Sequence, residues 1–270
     1  MPETFFILLN WKKQQRICLQ NLAKLNKQQE TKAVHDLRVA TKNLRSYLKL
    51  LTILLNKIED ESSFEKTEHL FSVLGKQRDI EMGLLLLQSF EKENMTTYTA
   101  FRSQLKMALQ QTKAWVQKAL SKYDEKELAD VTRQWEQQLK DTDKQRLLNK
   151  TGVVINKEIK KLKRAAKNFT RQPHEVRKML KDIFYWISIC PKDFLINTSQ
   201  LKKLKKSLDW LGDWQDHAML HRKVKHFRKD FVPSSREEYL LMKELEKSIE
   251  VKMGKMLKKA DIIIQEFISV

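Results

Sequence analysis

Residues 31–57 read TKAVHDLRVATKNLRSYLKLLTILLNK, and the spacing within them decides the fold. At 3.6 residues per turn, Leu37, Ala40, Leu44, Leu48, Leu51 and Leu55 stack on one side of a helix, the apolar stripe of an element that packs on a core. His35, Arg38, Lys42, Arg45 and Lys49 fall on the opposite side, within an arc of about 80°. The spacing therefore predicts a helix that packs inward and presents positive charge outward. A solvated face would normally mix signs to relieve repulsion. Here Asp36 is the only acid among positions 31 to 58, and it lies beside the stripe.

Working outward, helix-period segments separated by short polar breaks fill the chain. The first four lie at about 4 to 27, 31 to 57, 62 to 91 and 97 to 121. After a short helix near 124 to 140, four more follow at about 144 to 169, 172 to 190, 198 to 230 and 234 to 268. Thr31, Ser62 or Ser63, Thr97, and Ser234 or Ser235 after Pro233 read as N-caps, and Pro173 suits a first turn. Five Gly and four Pro in 270 residues are too few for the turns of a many-stranded sheet, and 41% apolar content fills a core. The fold class is all-α.

The two sets of four repeat each other. His35-Asp-Leu-Arg38 opens one second helix and His174-Glu-Val-Arg177 the other. About forty residues beyond each comes a second matching motif: Leu74-Gly75-Lys76-Gln77-Arg78-Asp79 in the first set, Leu211-Gly212-Asp213-Trp214-Gln215-Asp216 in the second. Two coincidences in register point to duplication. The expectation is one compact domain over 1–270, with repeats at about 1–122 and 144–270 forming two four-helix bundles related by a pseudo-two-fold axis.

The second half carries its own cations. His174, Arg177, Lys178 and Lys181 form an arc opposite Val176, Leu180, Ile183 and Ile187, with Tyr185 on the charged side. On the preceding helix Lys157, Lys160, Lys161, Arg164 and Lys167 lie opposite Ile155, Ile159, Leu162, Ala166 and Phe169, and Lys202, Lys203, Lys205 and Lys206 add a further cluster. The formal net charge is +19, from 53 Lys and Arg against 34 Asp and Glu. Such an excess repels itself unless an anion compensates, so the partner is acidic. The planar guanidinium fork suits phosphate and the mobile Lys tolerates variation along a polymer, so their mixture favours a linear, repetitive polyanion. Asp79 and Asp216 read as partners that hold neighbouring cations in place, and Gly75 and Gly212 as points of close helix approach.

Other readings are weaker. Cys18 and Cys190 sit in apolar surroundings without CxxC spacing, which points to buried thiols in a reducing compartment. No run approaches a transmembrane span and Phe5 to Leu9 is too short for a signal peptide, so a cytoplasmic location is expected. No P-loop, Gly-x-Ser-x-Gly or carboxylate constellation suggests catalysis, which leaves a metal-dependent phosphohydrolase as a remote alternative. Asp213, His217 and His221 share one helix face, but no H-E-x-x-H accompanies them; the histidines read as extending the surface of Lys203, Lys206 and Trp210. No metal or cofactor is expected. Nucleic acid presents the same repeated charge, and Trp210 and Trp214 would offer stacking platforms. An acidic protein partner is a third class.

The paired H-x-x-R-x-x-x-K helices and paired L-G-x-x-[RQ]-D helices resemble the CHAD family, the conserved histidine α-helical domain, over nearly the whole chain and in its standalone form. That resemblance implies two pseudo-symmetric bundles around a basic cavity or groove, a non-catalytic role, inorganic polyphosphate as the partner, and association with polyphosphate granules. It places His35, Arg38, Lys42 and Arg45 in the first binding helix and His174, Arg177, Lys181 and Tyr185 in the second. Lys49, Arg78, Lys178, Lys203, Lys206 and the basic face of Lys157, Lys160, Lys161 and Arg164 join them as candidates. Phe184 stands where the first half has Arg45, and Gln215 where it has Arg78, so the first half is expected to grip the polymer more strongly.

Overall fold

The structure, a computed structural model, describes residues 6–27, 30–56 and 64–269. The helices are α1 (Phe6–Lys27), α2 (Thr31–Leu54), α3 (Glu65–Asn94), α4 (Thr99–Lys122), α5 (Lys126–Leu139), α6 (Lys144–Ala166), α7 (Pro173–Ser188), α8 (Thr198–Phe231) and α9 (Glu237–Ile268), with a 3-10 turn at Phe169–Arg171. The protein is all-α: no strand occurs among the described residues, and no helix there is long and apolar enough to cross a membrane.

Helix starts differ from expectation where a distant carboxylate replaces a local cap. The Ser62 and Ser63 candidates lie outside the described residues. The first turn of α3 is satisfied instead by Glu127 of α5, which accepts from the backbone N–H of Lys66 at 2.8 Å and of Thr67 at 2.9 Å, and from the Thr67 hydroxyl at 2.5 Å. Before α4 the N-cap is Tyr98, not Thr97, and its N–H donates to Glu91 of α3 at 3.1 Å. Glu30 and Arg236, not Thr31 or Ser234 and Ser235, stand at the N-caps of α2 and α9. Local devices act where they are strong: Pro173 opens α7, Asp143 accepts from Arg146 N–H at 2.6 Å, and Asn197 and Gln200 close a reciprocal capping box.

The apolar interior is divided by position along the long helices, not by sequence half. One cluster joins Trp11, Leu44 and Leu51 to Trp135, Leu162, Trp186, Leu211 and Ile264. The other joins Leu87, Phe90 and Phe101 of α3 and α4 to Leu220, Phe227 and Leu245 of α8 and α9. Each core draws on both halves, so neither half buries its apolar faces alone. Trp11 and Trp186 are fully buried with their indole N–H groups satisfied, by Thr132 Oγ1 and by the Ser46 carbonyl, both at 2.8 Å.

The contacts are reciprocal. α1 lies along α2 and α6 along α7; α3 lies along α4 and α8 along α9. Across the halves α2 meets α7 and α3 meets α8, while α2 touches α3 and α7 touches α8. These last four helices close a ring, and each carries one of the repeated motifs.

Candidate functional site

Most of α2 is covered: Leu37, Ala40, Thr41, Asn43, Leu44, Ser46, Tyr47 and Leu48 are all buried. The cationic stripe is consequently divided, outward at His35, Arg45 and Lys49 and partly covered at Arg38 and Lys42. Arg38 and Lys42 are only partly exposed and point across the inner side of the ring, while His35, Arg45 and Lys49 emerge more fully. Lys42 feels Arg38 on its own helix, Lys181 and Arg177 on α7, and Asp216 on α8. Arg38 feels Asp79 and Arg78 on α3 and Asp216 on α8. Arg177 feels Asp216 and Tyr185, and Asp79 feels Lys223 and Arg222 of α8. The helix-period spacing of four separate helices thus converges on one polar cluster.

Burial and crowded charge shift the ionisable groups of this cluster. Burial, then repulsion from Arg38, Lys181 and Arg177, pushes the Lys42 ammonium down to about 7. Burial and then Arg177 push Lys181 down to about 8. Burial lowers His35, with Arg78 adding repulsion, and also lowers Arg38, Arg177 and Lys223. The two carboxyls move the other way, since burial raises Asp79 and Asp216 despite nearby cations. Arg38, Lys42, Arg78, Arg177, Lys181 and Lys223 still outnumber Asp79, Asp216, Asp182 beside Lys181, and Glu81, which pairs with Arg78 at 3.7 Å, so the cluster is electrostatically unbalanced and suited to an incoming anion.

Individual seats differ between the halves. Arg38 Nη1 donates to the Phe71 carbonyl at 2.8 Å, and its guanidinium carbon lies 4.5 Å from the Phe71 ring centroid. Arg45 pairs with Glu68 at 2.5 Å and lies 5.1 Å from the same centroid. In the second half Phe184, standing in for Arg45, tilts against Tyr185 with centroids 5.8 Å apart. His174 Nδ1 is 3.2 Å from Gln215 Oε1, so the residue that replaces Arg78 gives an amide contact instead of a charge. Lys49 does not face a vacant surface. It bridges the halves to Asp182 at 2.5 Å, beside Ser46 at 3.1 Å from the same carboxylate and near the Trp186 ring at 5.7 Å.

Several candidates stay outside. Lys157, Lys160, Lys161 and Arg164 lie on the exposed outer face of α6, with Lys161 paired to Glu158 at 2.5 Å. Lys178 is exposed and paired with Glu175 at 3.0 Å, although its charge still reaches Lys181. Lys203 is drawn to Glu266 of α9 at 2.9 Å, and Lys206 is exposed on α8. His217 does not extend a basic surface: it is buried, its Nδ1 lies 2.8 Å from the Asp213 carbonyl and its ring meets Phe90 edge-on. His221 sits 3.0 Å from Glu250. Among the described residues no group of three or more His, Cys, Asp and Glu side chains could hold a metal ion. Close helix approach explains neither central glycine. Gly75 makes room for the Arg38 guanidinium, and the space a Cβ would take at Gly212 is open. Lys223 is the cation that sequence reasoning missed. It follows Asp216 by two helical turns, but its counterpart in α3 is Leu86, so the repeat gave no signal for it.

The fold and this ring define an all-helical protein whose second and third helices from each half converge on a shared cationic cluster. The family model of the CHAD domain matches residues 12–225, and the chain belongs to that family. The crystal structure of the CHAD domain from the plant Ricinus communis superposes with a TM-score of 0.67 over 98% of this chain and 91% of that one, at 13% identity, a likeness of fold. None of the curated proteins matches this chain.

Proposed function

We propose that the ring binds inorganic polyphosphate without catalysing a reaction. The observation that carries this reading is the excess of partly buried cations over Asp79, Glu81, Asp182 and Asp216 at the junction of α2, α3, α7 and α8. Burying that many like charges is unfavourable until an anion neutralises them, and a slender chain of phosphates supplies repeated charge without bulky groups to accommodate. Family membership supports the same partner, through the resemblance drawn from the motifs. Cytoplasmic residence and association with polyphosphate granules belong to this proposal.

Nucleic acid gains little from the tryptophans, because the Lys259 ammonium lies 4.3 Å from the Trp210 ring centroid and Trp214 is half-buried. The deciding experiment is fluorescence anisotropy of labelled long-chain polyphosphate at low and physiological salt, with RNA and DNA as competitors. Tight binding at physiological salt that resists nucleic-acid competition supports the proposal. Equal displacement by any polyanion overturns the specificity, and no binding at physiological salt redirects the search to an acidic protein partner.

A further inference from the structure

The arginine pair of the first half has a seat on α3, and the second half lacks its counterpart. Glu68, Phe71 and Gly75 follow one another at three- and four-residue steps, on one face of α3. The Phe71 ring serves two guanidinium groups, Arg38 at 4.5 Å and Arg45 at 5.1 Å, while the Phe71 carbonyl and the Glu68 carboxylate fix one edge of each. Gly75 makes room for this arrangement, since a Cβ there would stand 2.7 Å from Arg38 Nη1 and displace the guanidinium. In register on α8 come Lys205, Leu208 and Gly212. Leu208 has no π face, Lys205 pairs with Asp209 at 2.9 Å, and nothing lies within 4 Å of a Cβ built on Gly212. Arg177, the counterpart of Arg38, keeps its Nε buried without a hydrogen-bond partner.

We propose that Phe71 is a positioning residue of the anion site, which with Glu68 and Gly75 holds Arg38 and Arg45 as one preformed fork before the polymer arrives. This rests on the polyphosphate reading of the ring. A guanidinium already held in plane loses less side-chain freedom when it takes up phosphate, so the seat raises affinity without adding charge. Arg177 has no such seat and is ordered by the ligand itself. The seat therefore makes the first half the point where the polymer is first held.

Polyphosphate affinity across a salt series tests this with Phe71→Leu, Phe71→Tyr, Gly75→Ala and Gly212→Ala. Phe71→Leu and Gly75→Ala each weaken binding about tenfold, while the slope of log affinity against log salt stays at the wild-type value because no charge is lost. Phe71→Tyr restores affinity and Gly212→Ala is silent. Alanine improves helix propensity at both glycines, so loss at Gly75 with thermal stability retained is a site effect, not misfolding. Wild-type affinity in Gly75→Ala, a slope reduced in Phe71→Leu as a lost charge contact would reduce it, or no recovery with tyrosine overturns the proposal. If the wild-type protein fails to bind polyphosphate, the functional reading fails, and the seat is judged in the free protein by NMR. Arg38 and Arg45 Nε–Hε resonances shifted upfield by the ring, and released in Phe71→Leu, sustain it; their absence removes it.

Discussion

Arg38 and Lys49 lie three turns apart on the same stripe of α2, yet the structure gives them different work. Arg38 is partly buried within the cation cluster, and under the polyphosphate proposal its remaining N–H groups would meet the anion. Replacing it with alanine should cost about 1.5–3 kcal/mol of binding, roughly ten- to a hundredfold in polyphosphate Kd. Lys49 is committed to Asp182 across the halves. Lys49→Ala should leave the Kd within about twofold and lower unfolding stability by about 0.5–1 kcal/mol, the scale of a half-exposed ion pair, as read by thermal or denaturant melts. Sequence spacing put both residues on one face, and only the packing of α7 against α2 separated their roles.

At the level of elements, α3 depends on α5 for its first turn. Glu127 is a half-buried carboxylate that takes two backbone N–H groups and a hydroxyl, which is the task of an N-cap performed from another helix. Glu127→Ala should destabilise the protein by about 1–2 kcal/mol, and hydrogen exchange should rise first at Lys66 and Thr67. Local cap signals succeeded at Pro173 and failed at Thr97, where Glu91 reaches the Tyr98 N–H from the end of α3. A carboxylate delivered by tertiary contact leaves no local pattern to read.

For the molecule as a whole, the cation cluster links binding to protons. Lys42 and Lys181 are held down to about 7 and about 8, against about 10.4 for a free lysine. Between those values and 10.4 the unfolded chain binds more protons than the folded one, so the free protein should gain stability as pH rises from about 7 toward 10. Polyphosphate favours the charged ammonium groups. Its binding should take up protons near pH 8 and weaken as pH rises, which calorimetry in buffers of different ionisation enthalpy measures directly. The halves should also contribute unequally: charge removal at Arg38 and Arg45 should weaken binding more than removal at Arg177 and Lys181, in paired Kd measurements.

The helical class, the repeat and the cations of α2 and α7 were legible in the order of residues, because a 3.6-residue period and a repeated motif survive in one dimension. His35, Arg38, Lys42, Arg177 and Lys181 were named from that pattern alone. Which part of the stripe would be covered was not legible. Amphipathic spacing distinguishes two sides of a helix but does not say where the polar side meets water and where another helix, and here the packing of α2, α7, α3 and α8 partly covers Arg38 and Lys42 and leaves His35, Arg45 and Lys49 exposed. The outer charges of α6, the bridge at Lys49, the burial of His217 and the arrival of Lys223 depend likewise on which helices meet. Periodicity sets what each helix can present, and long-range packing of both halves into shared cores decides what it faces.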